Sequence, residues 1–230
     1  MTIIVFDPGH GGKDPGAVAN GLREKDITLR LAEKARIHMM ENYVCDVRMT
    51  REKDEFVTLE SRTKFANHHK ADFFYSFHVN ASGGEGFESY IYNQVSGHSL
   101  SPAYQEVIHN YIKLNIVNLY HLRDRGKKRN NYHVLRETIM PAVLSEYFFI
   151  DNPKEAALLK DGLFVNELAY VTAEGIALAL KLKRRVETTP KDQKLYIVQA
   201  GAFKDEDGAN RRLSALKEAG FLDAFIKQVD

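Results

Sequence analysis

Four residues of the chain carry side chains that could do hydrolytic chemistry. His10 follows the apolar run "IIVF" in a glycine-rich loop, and His78 lies near the end of the apolar run "DFFYSFHVNA". Glu24 lies at the start of a helical pattern, and Glu146 lies within "AVLSEYFFI". Two histidines and one carboxylate are a known ligand set of catalytic zinc sites, which keep a coordination position for water. A second carboxylate that does not bind the metal would complete a hydrolase.

Each of these residues also has a purely structural interpretation. The helix dipole favours a glutamate near the start of a helix, and this alone would account for Glu24. His10 and His78 could be hydrogen-bonded histidines at strand ends, because a single histidine is a weak indication of function. Glu146 differs from them, since its neighbours are apolar and an unpaired buried carboxylate is costly. The spacing alone therefore predicts a zinc hydrolase without excluding structural roles.

The elements that must position these residues alternate between strand and helix along residues 1–182. This alternation predicts an α/β domain with a mostly parallel, twisted sheet flanked by helices on both faces. In such a sheet ligands collect at the carboxyl ends of the strands, where His10 and His78 lie. We also predict short strands in "YHVLR" and "AVLSEYFFI". The first helix is predicted to bury a face formed by Ile27, Leu31, Ala35 and Met39.

The composition changes at residues 183–194, which are polar, charged and interrupted by Pro190. We interpret this stretch as a linker. Residues 195–230 then predict a strand, a helix and a second strand, which together make a small βαβ-like tail. So short a unit buries too little apolar surface to be stable alone.

Charge and hydropathy exclude several classes of partner. The 230 residues include 32 basic and 31 acidic side chains, which provide no overall basic field for nucleic acid or a membrane surface. The single Cys45 cannot form an internal disulfide, which suits a reducing compartment. No apolar run approaches the roughly 20 residues of a membrane span, and no signal-peptide pattern precedes the first strand. We therefore expect synthesis in the cytoplasm without a signal peptide.

Five segments resemble, in this order, the successive motifs of the zinc-dependent N-acetylmuramoyl-L-alanine amidases of the amidase-3 type: "VFDPGHGGKDPGA", "REKDITLRLA", "VRMTREKDEFVTLESRTKFAN", "FFYSFHVNA" and "YHVLRETIMPAVLSEYFFIDNPKE". The resemblance covers about residues 2–182. It implies that His10, Glu24 and His78 bind zinc and that Glu146 is the catalytic glutamate. It also implies hydrolysis of the amide that joins the lactyl group of N-acetylmuramic acid to L-alanine in peptidoglycan.

Further residues near these motifs are candidates for supporting roles. Asp7 and Asp14 could accept a hydrogen bond from His10 and orient it, and His133 could lie in the cleft. Arg51 and Arg62 are predicted to be structural ion-pair partners. The segment "EYFFID" departs from the small or glycine-containing segment that is usual in the family. We expect it to change the shape of the cleft rather than the chemistry.

The tail resembles the first half of a SPOR-type repeat, which implies binding to peptidoglycan glycan strands stripped of stem peptides. Because the full repeat has about twice this length, we expect two tails to pair with each other or a single tail to be disordered. The resemblance therefore divides the chain into a zinc amidase domain (1–182), a linker (183–194) and a partial SPOR-like repeat (195–230).

Two other classes of function stay open at this point. A zinc peptidase acting on stem peptides would use the same ligand set, although the order of the motifs favours the amidase. A non-catalytic wall-binding protein would not need Glu146 beside an intact set of ligands. A wall-cutting enzyme without an export signal would reach the wall by lysis or a holin-type route, as a phage endolysin or a mother-cell lytic amidase of a spore former does.

Overall fold

A computed structural model describes residues 1–185, 205–218 and 226 of the chain. The chain divides into two compact units, Met1–Arg185 and Val186–Asp230. The predicted linker from residue 186 onward and the first predicted strand of the tail lie outside the described residues. So does the second predicted strand, apart from Ile226.

The first unit contains a six-stranded sheet and a two-stranded hairpin. The strands are β1 (Thr2–Pro8), β2 (Val18–Ala19), β3 (Leu22–Arg23), β4 (Cys45–Met49), β5 (Phe73–Asn80), β6 (Phe87–Tyr92), β7 (Asp124–Asn130) and β8 (Ala142–Phe149). The large sheet has the order β4-β1-β5-β8-β6-β7, and β2 pairs with β3 in the hairpin. Strands β4, β1, β5 and β8 run parallel, whereas β6 is antiparallel to β8 and parallel to β7.

Helices cover both faces of this sheet. The described residues form α1 (Glu24–Asn42), α2 (Leu59–His68), α3 (Ser101–Ile112), α4 (His133–Arg136), α5 (Pro153–Lys160), α6 (Gly162–Ala179) and α7 (Glu206–Glu218). A π-helical turn, Lys113–Val117, continues α3. The larger core packs α1, α3 and α6 on one face, and a smaller core packs α2 and α4 on the other. The predicted α/β class, with a mostly parallel sheet between helical layers, is confirmed.

One local prediction is wrong, and one strand is not predicted at all. "YHVLR" forms the short helix α4 rather than a strand, and it buries Val134 and Leu135 against the sheet. The sequence does not predict strand β7, because "DRGKKRN" shows no alternation of apolar and polar residues. As an edge strand it pairs only with β6 and leaves its side chains partly or fully exposed, so apolar residues are not required there.

Candidate active site

Three predicted residues converge at the carboxyl end of β1. His10 lies in the loop that follows β1, Glu24 is the first residue of α1, and His78 lies on β5 beside β1. His10 Nε2 lies 3.1 Å from Glu24 Oε2, and His78 Nδ1 lies 3.0 Å from Glu24 Oε1. One potential ligand atom from each residue lies within 4.8 Å of the other two. The buried carboxylate thus bridges two partly exposed imidazoles.

This arrangement fits a small divalent metal ion. A tetrahedral site with bonds of about 2.0–2.1 Å places its ligand atoms about 3.3 Å apart, and one atom from each of the three residues already lies within 4.8 Å of the other two. Burial opposes ionisation of Glu24, but hydrogen bonds from His10 and His78 outweigh it and hold its pKa far below the usual range. Burial alone would lower the pKa of His78, but the hydrogen bond to Glu24 raises it to about 9. The donor set, one carboxylate and two imidazoles, is one that zinc accepts.

Two glycines make room for these side chains. A Cβ on Gly9 would lie 2.4 Å from the imidazole of His78, so the ring can reach its position only against a glycine. A Cβ on Gly16 would lie 2.6 Å from Glu24 Oε2 and 2.7 Å from the ring of His10. Gly16 also has a φ of 65°, which disfavours any other residue. The sequence pattern does not single out Gly16, although it lies in the same glycine-rich segment as His10.

Glu146 lies on β8, directly beside His78 in the parallel register of β5 and β8. Burial raises the pKa of Glu146 to about 7, and the nearby carboxylates of Glu24 and Glu88 act in the same direction. A carboxylate with a pKa near neutrality can accept a proton and release it again at physiological pH. Glu146 therefore lies beside the three potential metal ligands with a proton affinity that suits a general base.

The chain is similar to known proteins over most of its length. The family model described as N-acetylmuramoyl-L-alanine amidase matches residues 4–178. This chain belongs to that amidase family. A sporulation-specific N-acetylmuramoyl-L-alanine amidase of Bacillus subtilis is 42% identical over 222 residues, which cover 96% of this chain and 83% of the relative. The endolysin of Bacillus phage SPP1 is 47% identical over 184 residues, which cover 80% of this chain and 68% of the endolysin.

The same family is found among solved structures. The catalytic domain of the amidase CwlV from Bacillus (Paenibacillus) polymyxa matches with a TM-score of 0.73 and 38% sequence identity, over 80% of this chain and 100% of that domain. A second family model, the SPOR domain, matches residues 168–228. That match begins inside α6 rather than at the predicted start of the tail.

Asp14 and Asp7 take different places around the amidase site. Asp14 Oδ2 lies 2.9 Å from His10 Nδ1, as expected for a residue that orients the imidazole. Asp7 does not contact His10, which corrects the prediction for that residue. Its buried carboxylate instead pairs with Arg62 at 2.8 Å and accepts hydrogen bonds from Thr50 and Ser76. Strand alternation explains this, because Asp7 lies within β1 and points to the α2 face.

The two predicted structural arginines differ in their partners. Arg62 forms the predicted ion pair with Asp7, and its guanidinium also donates to the carbonyl oxygens of Pro8 and His10 at 2.6 and 2.7 Å. Arg51, only 2% exposed, has no carboxylate partner among the described residues. It donates instead to backbone carbonyls, including that of Gly9 at 2.9 Å. Both arginines therefore fix the backbone of the loop that carries His10.

The positions of His133 and of the segment after Glu146 differ from those predicted. His133 begins α4, its Nε2 is buried without a hydrogen-bond partner, and it is not part of the His10, Glu24 and His78 group. Tyr147 and Phe148 are fully buried in the core, so these side chains do not line an open cleft. Phe148 has a φ of 65° at a β-bulge, where β8 gains one residue relative to β5. Tyr147 and Phe148 thus fill the core immediately after Glu146.

Proposed function

We propose that this amidase hydrolyses the bond between the lactyl group of N-acetylmuramic acid and L-alanine, with zinc held by His10, Glu24 and His78 and with Glu146 as the general base. The observation that carries the proposal is the cluster of three potential metal ligands beside Glu146, within the segment that matches the amidase family. When bound, zinc supplies Lewis-acid chemistry, because it polarises a carbonyl and lowers the pKa of a water molecule.

The residues of the chain supply the proton transfers and the orientation. Glu146 takes a proton from the attacking water and returns it to the nitrogen of L-alanine as the amide bond breaks. A base whose pKa lies near 7 suits both the uptake of the proton from water and its release to the nitrogen. Asp14 forms a hydrogen bond with Nδ1 of His10. The other ring nitrogen, Nε2, therefore faces Glu24 and the proposed metal position. Arg62 fixes the backbone of the same loop through the carbonyl of His10.

We further propose that the C-terminal part binds glycan strands of peptidoglycan and that two such tails can associate. The SPOR match supports the first statement. The helix α7 supports the second, since Leu213 and Leu216 are only partly covered in a helix whose remaining described side chains are largely exposed. A partner surface would bury these two leucines.

The place of action is the cell wall. No α-helix of the described residues has the length and apolar composition of a membrane span. The B. subtilis relative is sporulation-specific and the phage relative is an endolysin. On the support of these two relatives, we propose that the protein acts on the wall after release by lysis or through a holin-type route.

Analysis of the products tests the reaction. Purified cell walls are incubated with the protein, and mass spectrometry identifies the new ends. New L-alanine amino termini are expected, and they should disappear after chelation and return when zinc is added. New amino termini inside the stem peptide would instead identify a zinc peptidase, and an absence of new ends would identify a non-catalytic wall-binding protein.

A further inference from the structure

A charged cluster lies one strand beyond Glu146 on the same face of the sheet. Glu88 of β6 is the antiparallel partner of Glu146, and it is only 2% exposed. Its Oε2 accepts a hydrogen bond from Arg125 Nε at 2.7 Å and another from Lys128 Nζ, both on β7. We refer to Glu88, Arg125 and Lys128 as the β6–β7 cluster.

Glu88 is fully engaged within the protein. Its Oε1 accepts hydrogen bonds from Asn80 Nδ2 at 2.7 Å and from the hydroxyl of Tyr90 at 2.8 Å. Burial opposes ionisation of Glu88, but these bonds and those from Lys128 and Arg125 lower its pKa. A carboxylate offers about four acceptor positions, and all of them are used here. Glu88 is therefore an anchor for two cations rather than a second base.

The two cations keep donors free for a ligand. Within the cluster two positive charges share the carboxylate of Glu88. Arg125 also stabilises the ionised form of Glu155, whereas Lys128 has no second carboxylate partner among the described residues. The side chains of Arg125 and Lys128 are 27% and 35% exposed, and Arg125 Nη1 also donates to the carbonyl oxygen of Glu85 at 3.5 Å. Arg125 also lies over the ring of Phe149 at 5.0 Å, and Lys128 lies over the ring of Tyr90 at 5.8 Å. Ordered cations of this kind bind carboxylates through charge-assisted hydrogen bonds.

The distance from the metal ligands fits a short stretch of peptide. His78, Glu146 and Glu88 form one row across β5, β8 and β6. Because neighbouring strands lie about 4.8 Å apart, this row spans about 10 Å. In a stem peptide, the α-carboxyl of the second residue lies about two residue lengths, or about 7 Å, from the scissile carbonyl. The row is longer than this stretch of peptide, and the long side chains of Arg125 and Lys128 can span the difference between the two lengths.

We infer that Arg125 and Lys128, anchored by Glu88, bind the free α-carboxylate of D-glutamate, the second residue of the stem peptide. This inference rests on the proposed function, since it places the scissile amide at the metal ligands. D-Glutamate is joined to the third residue through its γ-carboxyl, which leaves its α-carboxyl either free or amidated. The amidated form, D-isoglutamine, carries no charge for the two cations to bind.

Two soluble substrates that differ only in this group test the inference. They are N-acetylmuramoyl-L-Ala-γ-D-Glu-L-Lys and its D-isoglutamine counterpart, and kcat/KM is measured for each from the released tripeptide. The wild type should favour the acid by about tenfold or more, the effect of a hydrogen bond to a charged group. Lys128→Gln should bring this preference close to unity, and Lys128→Arg should restore it.

Lys127→Gln is the matched control, because Lys127 is the neighbouring residue of β7 but pairs with Glu106 on the other face of the sheet. It should keep the preference of the wild type. Equal cleavage of both substrates by the wild type would overturn the inference and leave the proposed function standing, as would a Lys128→Gln enzyme that loses activity equally on both. If the wild type cleaves neither substrate, the proposed function fails and the inference fails with it.

Discussion

Glu146 lies beside His78, one of the three potential metal ligands, and its surroundings differ from those of Glu24. Glu24 is held ionised between two imidazoles, whereas Glu146 has a pKa near 7 and no imidazole on its carboxylate among the described residues. Glu146→Gln should therefore retain zinc and lose about 10²- to 10⁴-fold in turnover, the usual contribution of a general base. Turnover of soluble muropeptides and the zinc content of the purified variant are the measurements.

Glu41→Gln is a suitable control for this variant, because Glu41 is an exposed carboxylate in the last turn of α1. It should behave as the wild type in both measurements. Near-normal wall lysis by Glu146→Gln would remove Glu146 from the mechanism, and loss of zinc from it would make Glu146 a ligand.

Gly16 provides a second test at the scale of single residues. Gly16→Ala should weaken zinc binding, because the new methyl group would meet Glu24 Oε2 and the His10 ring at less than van der Waals distance. Gly21→Ala is the matched control, since Gly21 also has a positive φ, of 74°, but a Cβ there would meet no atom within 4 Å. Both variants carry the same backbone strain, about 1 kcal/mol or more. Equal zinc affinities in a competition titration would contradict the packing role of Gly16.

Much of the site can be predicted from the sequence, because its residues lie at the ends of strands and helices. His10, Glu24 and His78 lie at element ends that a parallel sheet brings to one edge, so their convergence follows from the element pattern. Gly16 and Glu88 do not follow from it, for a different reason. Each acts through contacts made only in the folded chain, Gly16 with His10 and Glu24, and Glu88 with Arg125 and Lys128, and neither residue type nor hydrophobic spacing encodes these contacts.

At the scale of elements, the buried pair of Asp7 and Arg62 joins β1 to α2 and holds the His10 loop. The side chains are 1% and 3% exposed. Asp7→Asn leaves the guanidinium of Arg62 buried without its counter-charge, so the free energy of unfolding should fall by about 3–5 kcal/mol. Urea denaturation measures this loss. Asp26→Asn, which removes an exposed partner of Arg23, should change the same quantity by less than about 1 kcal/mol.

The pair also has a defined pH dependence. Burial opposes ionisation of Asp7, but the charge of Arg62 and the hydrogen bonds outweigh it and lower its pKa. The stabilisation is therefore complete above the unfolded pKa of about 3.9 and is lost as the pH falls through the lower folded value. The difference between the wild type and Asp7→Asn should accordingly shrink below about pH 4. A difference that stays constant into acid would show that packing, rather than charge, causes it.

The strands that the sequence predicts most directly are those with uniform burial. Strands β1, β5 and β8 lie in the middle of the sheet, so their residues are almost all buried and read as apolar runs. Strand β7 is an edge strand, where burial is partial, and helix α4 has only four residues. Their conformation is set by neighbours in the fold, and a four-residue helix is too short to show a helical period.

At the scale of the whole molecule, the division into two units suggests that hydrolysis and wall binding can be separated. Residues 183–185, at the C-terminal end of the first unit, contact the rest of that unit. Arg184 pairs with Glu174 of α6 at 2.7 Å, and the amide of Arg185 donates to the carbonyl of Asn42 at 2.8 Å. A deletion meant to remove only the second unit should therefore keep Arg185.

Deletion of residues 186–230 should leave hydrolysis of soluble muropeptides intact and reduce binding to whole sacculi. The first effect is expected because the proposed metal ligands, Glu146 and the β6–β7 cluster all lie in the first unit. The second is expected because most of the SPOR match, 168–228, is removed. Co-sedimentation with sacculi and turnover of a soluble substrate are measured on the truncated and full-length proteins.

A shorter protein ending at residue 180 distinguishes loss of binding from loss of folding. It lacks Arg184, so Glu174 loses one partner and keeps only His38 and Tyr43, and the stability of the first unit should fall. If the protein ending at residue 185 unfolds as the full chain does but sediments less with sacculi, the second unit is the binding device. Equal sedimentation of the two would show that it is not, and slower turnover of the soluble substrate would show that the second unit also supports catalysis.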